Sequence, residues 1–149
     1  MLTENIFHPT TERLLATHIY AVPNDNAKSK TEFVTDNSHS IQVGILHRPA
    51  GTLINAHQHL PVQKVVTGTQ EVLIVKAGHI VVDIFDENGV FVSARALRTG
   101  DVYIQYSGGH AFNFITDVQF IELKQGPYTP ADKVYFNADF DPLKHEQTK

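Results

Sequence analysis

From Ser38 onward the chain is written almost wholly in short β-patterned runs. "IQVGIL", "EVLIVK", "HIVVDIF", "VFVSARAL", "DVYIQY", "HAFNFI" and "VQFIEL" are each 6–8 residues long and rich in Val, Ile and Phe. Turn residues part them, as expected of strands built from β-branched and aromatic side chains. The clearest hairpin is "HIVVDIFDENGVFVSARAL", where Asn88-Gly89 separates two such runs and both residues tolerate positive φ. Strands this short and this numerous restrict the chain to an all-β sandwich or barrel. Before Ser38 the pattern is weaker. "TERLLATHIYAV" fits a short helix or a strand, and "NDNAKSKTE" reads as a loop.

The runs "EVLIVK" and "VQFIEL" are apolar on both faces, whereas a half-solvated strand alternates. A second sheet or a partner subunit must cover the outer side, and a homodimer is the expected assembly. Composition narrows the function. At 149 residues, with 42% hydrophobic and 19% charged residues, the chain has the make-up of one ordinary globular domain. No apolar run approaches the roughly 18 residues that span a bilayer, so no membrane role is expected. The N-terminus lacks the basic, apolar and small-residue order of a secretory signal. With no cysteine, disulfides and thiolate chemistry are excluded, and the cytoplasm is the expected location. Twelve basic and 16 acidic residues, net −4 without a block of either sign, leave no basic face for nucleic acid.

Nine histidines are many for this length. His8, His18, His39, His47, His79 and His145 stand alone in the sequence and read as surface or core packing. His57 and His59 do not. In a strand, residues i and i+2 share a face, so the two imidazoles would project together about 7 Å apart. Burying such a pair is costly unless something uses its nitrogens. A divalent metal does so, and imidazole suits Zn, Cu, Fe and Ni. A polar pocket or open water is the plainer alternative.

The surrounding residues extend the pattern. Gly51 gives G-x5-H-x-H with His57 and His59, and Glu71 gives E-x6-G with Gly78. "GDVYIQYSGGHAF" then supplies a Gly-Asp strand start, a strand, a small-residue turn and His110. This three-part pattern resembles the cupin superfamily, over roughly Gln42 to Lys124. The resemblance implies a single-domain jelly-roll β-barrel with a metal in its mouth. His57, His59, Glu71 and His110 would be the ligands to one divalent transition metal, and iron, manganese, nickel, copper and zinc all suit such a set. Residues 1–40 would form an N-terminal strand or helix arm, 41–136 the barrel, and 137–149 a polar C-terminal tail.

Two departures from the family pattern bear on the ligands. Between His59 and Glu71 lie 11 residues where the family has three or four, so "LPVQKVVTGTQ" carries about seven extra. Gln63 therefore occupies the family's glutamate position. Glu71 is the better choice, because it keeps the E-x6-G relation and its carboxylate is the stronger ligand. In the second motif Tyr106 replaces proline, and His110 arrives one residue early. His110 still opens a strand with Phe112 and Phe114 on its own face.

Pro61–Gly78, Ser107–Phe112 and Lys124 through Phe136 also resemble a narrower group of small bacterial cupins, encoded near surface-polysaccharide and sugar-nucleotide genes. That association implies a small-molecule ligand related to sugars. Three readings follow. The first is a metal-dependent enzyme of oxygenase or isomerase type. The second is a non-catalytic carbohydrate- or metal-binding module. The third is a metal-independent sugar-nucleotide isomerase or epimerase, using His57 or His59 as base and a tyrosine as acid. Tyr103, Tyr106, Tyr128, Gln105 and Asn113 are weaker pocket candidates, and Arg48 and Lys64 could hold an anionic group.

Overall fold

Each β-patterned run from "IQVGIL" onward overlaps a strand, the first of them only from Gly44. The computed structural model describes residues 2–22 and 30–136. The tail 137–149, with His145, and residues 24–29 of the expected loop lie outside these. The strands are β1 (Thr3–Phe7), β2 (Leu14–Ile19), β3 (Lys30–Phe33), β4 (Gly44–His47), β5 (Glu71–Ala77), β6 (His79–Phe85), β7 (Phe91–Arg98), β8 (Val102–Gln105), β9 (Gly109–Phe114) and β10 (Gln119–Lys124). A 3-10 turn follows at Pro130–Asp132. Pairing is antiparallel throughout. No α-helix occurs among the described residues, and none of their helices is long and apolar enough to cross a membrane.

The described residues divide into two units, one of residues 2–22 and 68–136, the other of residues 30–67. In the larger, a five-stranded sheet runs β1-β2-β8-β5-β10 and a three-stranded sheet runs β7-β6-β9. One apolar core is shared by both sheets: Leu15, Leu73, Val75 and Tyr103 from the first, and Ile80, Val82, Ile84 and Leu97 from the second. The smaller unit holds the β3–β4 pair and a segment without regular secondary structure up to Thr67.

Gly78 is the corner between the sheets. It is the single residue between β5 and β6, which belong to different sheets. Its φ is +98°, and a Cβ there would lie 2.4 Å from the Asp117 carbonyl oxygen. Only glycine meets both demands.

The segment left open between helix and strand is β2, a strand. Its residues Leu15 to Ile19 are all buried, which a helix with one solvated side would not allow. At its end Asp101 Oδ2 lies 3.0 Å from His18 Nε2 and accepts from the Arg98 amide at 2.9 Å, while Oδ1 accepts from the Ala21 amide at 2.7 Å. His18 is thus a buried structural pin. His8 is another, its Nδ1 accepting from the amides of Thr10 and Thr11 at 3.1 and 3.2 Å.

The Asn88-Gly89 hairpin forms, though not as a two-residue turn. Gly89 alone adopts positive φ, at +78°, while Asp86 Oδ1 accepts from the amides of Asn88 and Val90 at 2.9 and 2.8 Å. The side-chain cap thereby does the work expected of a left-handed asparagine. The double apolar character of β5 also resolves. Leu73 and Val75 face the core, whereas the outward row on β10 leaves Ile121 47% and Leu123 51% exposed.

Gly78→Ala is expected to destabilise the larger unit by about 2 kcal/mol or more, from left-handed strain plus the carbonyl collision. Urea unfolding of the full chain measures this. An unchanged midpoint would show that the corner tolerates a side chain.

Candidate functional site

At one end of the shared core the inner face of the five-stranded sheet turns from apolar to polar. Cross-strand register aligns Gln105, Glu71 and Lys124 on neighbouring strands β8, β5 and β10. The next inward row is Tyr103, Leu73 and Glu122. Opposite, β9 presents His110, Phe112 and Phe114, which pair with the inward residues Ile84, Val82 and Ile80. The two rows meet where Glu71 Oε2 lies 3.2 Å from His110 Nε2.

Local sequence explains how His110 reaches this position. The amides of Tyr106 and Ser107 donate to the Leu15 carbonyl at 2.8 and 3.3 Å, and Ser107 Oγ donates to the Leu14 carbonyl at 3.1 Å. Gly108 then takes a φ of +73°, so close to β6 that a Cβ would sit 2.2 Å from the Phe85 carbonyl oxygen. The small-residue turn lets β9 begin hard against β6 and brings its first imidazole inward. Tyr103, fully buried, donates its hydroxyl to Gln105 Oε1, and the Gln105 amide donates to the Ser107 carbonyl.

Electrostatics follow from burial and neighbours. Burial pushes the His110 pKa below its ordinary value, with Glu71 and Glu122 opposing and Lys133 and Lys124 reinforcing the shift. Lys124 Nζ lies 3.0 Å from Glu122 Oε1 and 3.4 Å from Glu71 Oε1. Its hydrogen bond to Glu122 raises its pKa most, against the lowering effect of burial, and Glu71 adds to the rise. Burial likewise raises the Tyr103 and Tyr106 phenols. His110 Nδ1 is buried without a hydrogen-bond partner among the described residues. An aromatic stack continues inward, with His110 and Phe112 centroids 4.7 Å apart and Phe114 stacked on Phe120 at 6.1 Å.

This polar end opens on a cavity of about 670 Å³, into which Thr69, Glu71, Gln105, His110, Lys133 and Tyr135 contribute. Of the four ligands expected from sequence, the fold joins Glu71 and His110. His57 and His59 belong to the smaller unit, where their rings lie 5.5 Å apart, edge to face. The strand expected to carry them is not present. Residues 52–67 make no strand, and Thr52 to Val65 are all exposed, because no neighbouring strand among the described residues supplies a ladder. The Asn55 carbonyl, 2.9 Å from His57 Nδ1, orients that ring instead. Gln63, the rival ligand, lies in the same exposed segment, as does Lys64.

The weaker candidates separate. Gln105 lines the cavity and Tyr103 supports it. Asn113 pairs with Val81, a register on the opposite face of β9 from His110. Tyr128 sits under Lys124 and Lys133, 5.2 and 5.4 Å from its centroid. Arg48 is tied to the Lys30 carbonyl and Thr31 Oγ1, both at 2.5 Å, so it braces β3 against β4. Lys124 and Lys133 fall within the Lys124–Phe136 resemblance but drew no site role, because their place beside Glu71 and the cavity depends on the β5–β10 register and on the path after β10. Among the described residues no three His, Asp or Glu side chains group as metal ligands. No family model, curated protein or solved structure matches the chain.

In metal-free protein, His110 is expected to titrate below the ordinary histidine range. Glu71→Gln should move it lower still, since the carboxylate charge opposes the shift. Histidine ring NMR across a pH series reads both, and an upward move in the variant would contradict the assigned electrostatics.

Proposed function

We propose that this chain is a cupin-type jelly-roll protein binding one divalent transition metal through His57, His59, Glu71 and His110, and acting on a small molecule related to sugars. The observation carrying this is the meeting of Glu71 and His110, 3.2 Å apart beside a cavity, from motifs on different sheets. A carboxylate oxygen and an imidazole nitrogen at that separation suit joint ligation of one ion as well as a hydrogen bond. Three neutral imidazoles and one carboxylate are a donor set that iron, manganese, nickel, copper and zinc accept.

When bound, the metal would supply Lewis acidity or a site for dioxygen, consistent with isomerase or oxygenase chemistry. The chain's own residues hold and move charge around it. Lys124 steadies the Glu71 carboxylate from the far side. Burial lowers the His110 pKa, which favours the neutral ring, and its Nε2 beside the Glu71 carboxylate is the atom a metal would take. Gln105, braced by Tyr103, and Tyr135 offer polar contacts to a hydroxylated ligand. The outward Ile121 and Leu123 support a homodimer with β10 at its surface.

One observation favours a metal-independent sugar-nucleotide isomerase or epimerase instead. Metal-bound histidines ordinarily donate their other ring N–H to an oxygen, and His110 Nδ1 has no such acceptor among the described residues. In that reading a histidine such as His57 or His59 is the base and a tyrosine the acid, with His110 held to Glu71 in the pocket. A non-catalytic carbohydrate- or metal-binding module would use the same ligands without turnover.

Elemental analysis of untagged protein purified without chelators separates these. Metal near one equivalent per chain, lost in a His57→Ala/His110→Ala variant, is the expected result. A wild type that is metal-free and cannot be loaded sinks the metal reading and directs testing to sugar nucleotides.

A further inference from the structure

One part of the cavity wall is not a strand. It is the stretch Asp132–Phe136, from the last residue of the 3-10 turn onward, every residue of which lines the cavity. Val134, Tyr135 and Phe136 make no backbone–backbone hydrogen bond among the described residues. Val134 and Tyr135 are 84% and 86% exposed, whereas Phe136 is only 37% exposed. A segment without a backbone ladder is held by whatever its side chains bury. Asp132 and Lys133 are tied to the 3-10 turn by amides donating to the Thr129 and Pro130 carbonyls, and beyond them the Phe136 ring is the one side chain that is not fully exposed.

The ring lies in a notch made of bare backbone. A Cβ on Gly109 would fall 2.2 Å from Phe136 Cε2, and a Cβ on Gly89 would fall 2.8 Å from Phe136 Cδ1. The Phe85 ring, its centroid 5.9 Å away, closes the notch. Gly89 sits in the β6–β7 turn and Gly109 opens β9, one residue before His110. A turn glycine and a strand-opening glycine thus accept one side chain from a third segment. Gly109 has no positive φ, so its backbone does not itself demand glycine. The space taken by Phe136 does.

We propose that residues 132–136 form a strap over the cavity, latched by Phe136 in the Gly89–Gly109 notch, and that unlatching admits a ligand to Glu71 and His110. The strap goes beyond the metal reading and does not depend on it, since it concerns access to the cavity whatever binds there. The absence of backbone hydrogen bonds at 134–136 among the described residues, and the place of this stretch in the cavity wall, are what a gating segment hinged at the 3-10 turn requires.

Access to His110 can be measured directly, with diethyl pyrocarbonate on the full chain and a chelator present so that a bound ion cannot shield the ring. Peptide mass spectrometry gives the modification rate of each histidine. Exposed His57 serves as reference, and His18, 1% exposed, reports global opening. Phe136→Ala and Gly109→Ala, which remove the key and block the lock respectively, should each raise the His110 rate about fivefold or more while His57 and His18 keep theirs. If Phe136→Ala also exposes His18, that variant has loosened the fold and Gly109→Ala decides. An unchanged His110 rate in Gly109→Ala, or a rise matched at His18 in both variants, overturns the strap. Failure of metal binding leaves this outcome untouched.

Discussion

The chain changes sheets within a single residue, and most of the larger unit depends on that. Because Gly78 sends β5 into one sheet and β6 into the other, the apolar rows of these consecutive strands face each other across the core. Leu73 and Val75 then pack in one cluster with Ile80, Val82 and Ile84. At roughly 25 cal/mol per Å² of apolar surface removed from water, such opposed rows are the main force holding the sheets together. The polar end of the core is a consequence of the same geometry. Glu71 shares the inward face of β5 with Leu73 and Val75, so the contact that closes the core also carries a carboxylate toward the opposite sheet.

Much of the fold was legible in the sequence because strand periodicity is local. The "HIVVDIF" run is β6 residue for residue, and Glu71 opens β5 as the E-x6-G relation led one to expect. β1 was not legible. "TENIF" offers a single buried residue, Ile6, and its pairing with β2 is decided by tertiary contact. β3 was hidden for a similar reason, since "KTEF" is exposed along its length and owes its form to β4. The expected strand around His57 and His59 failed in the opposite direction. Its alternating residues describe an extended chain, but a strand also needs a neighbour for its amides, which no single segment can reveal.

The site was legible in its chemistry and less so in its company. The cupin resemblance pointed to Glu71 and His110, which do meet. The cation beside them was not visible, because Lys124 reaches Glu71 only through the antiparallel register of β5 and β10. Phe136 closed the last stretch of the narrower resemblance, but nothing in that stretch gave it a role. Its role rests on two glycines, at 89 and 109, whose shared neighbour lies far along the chain.

Gly78 and Gly108 have an implication for reading variation in this chain. Each brings backbone against backbone, the Asp117 carbonyl in one case and that of Phe85 in the other, leaving no room for even a methyl group. A deep mutational map of this protein would therefore show two columns of near-total intolerance that mark architecture and not chemistry. The second lies two residues from His110 and would readily be mistaken for part of the reactive centre. Polar positions such as Gln105, where some replacements keep the hydrogen bonds, would give a graded signal instead, and it is gradation that would trace the binding surface.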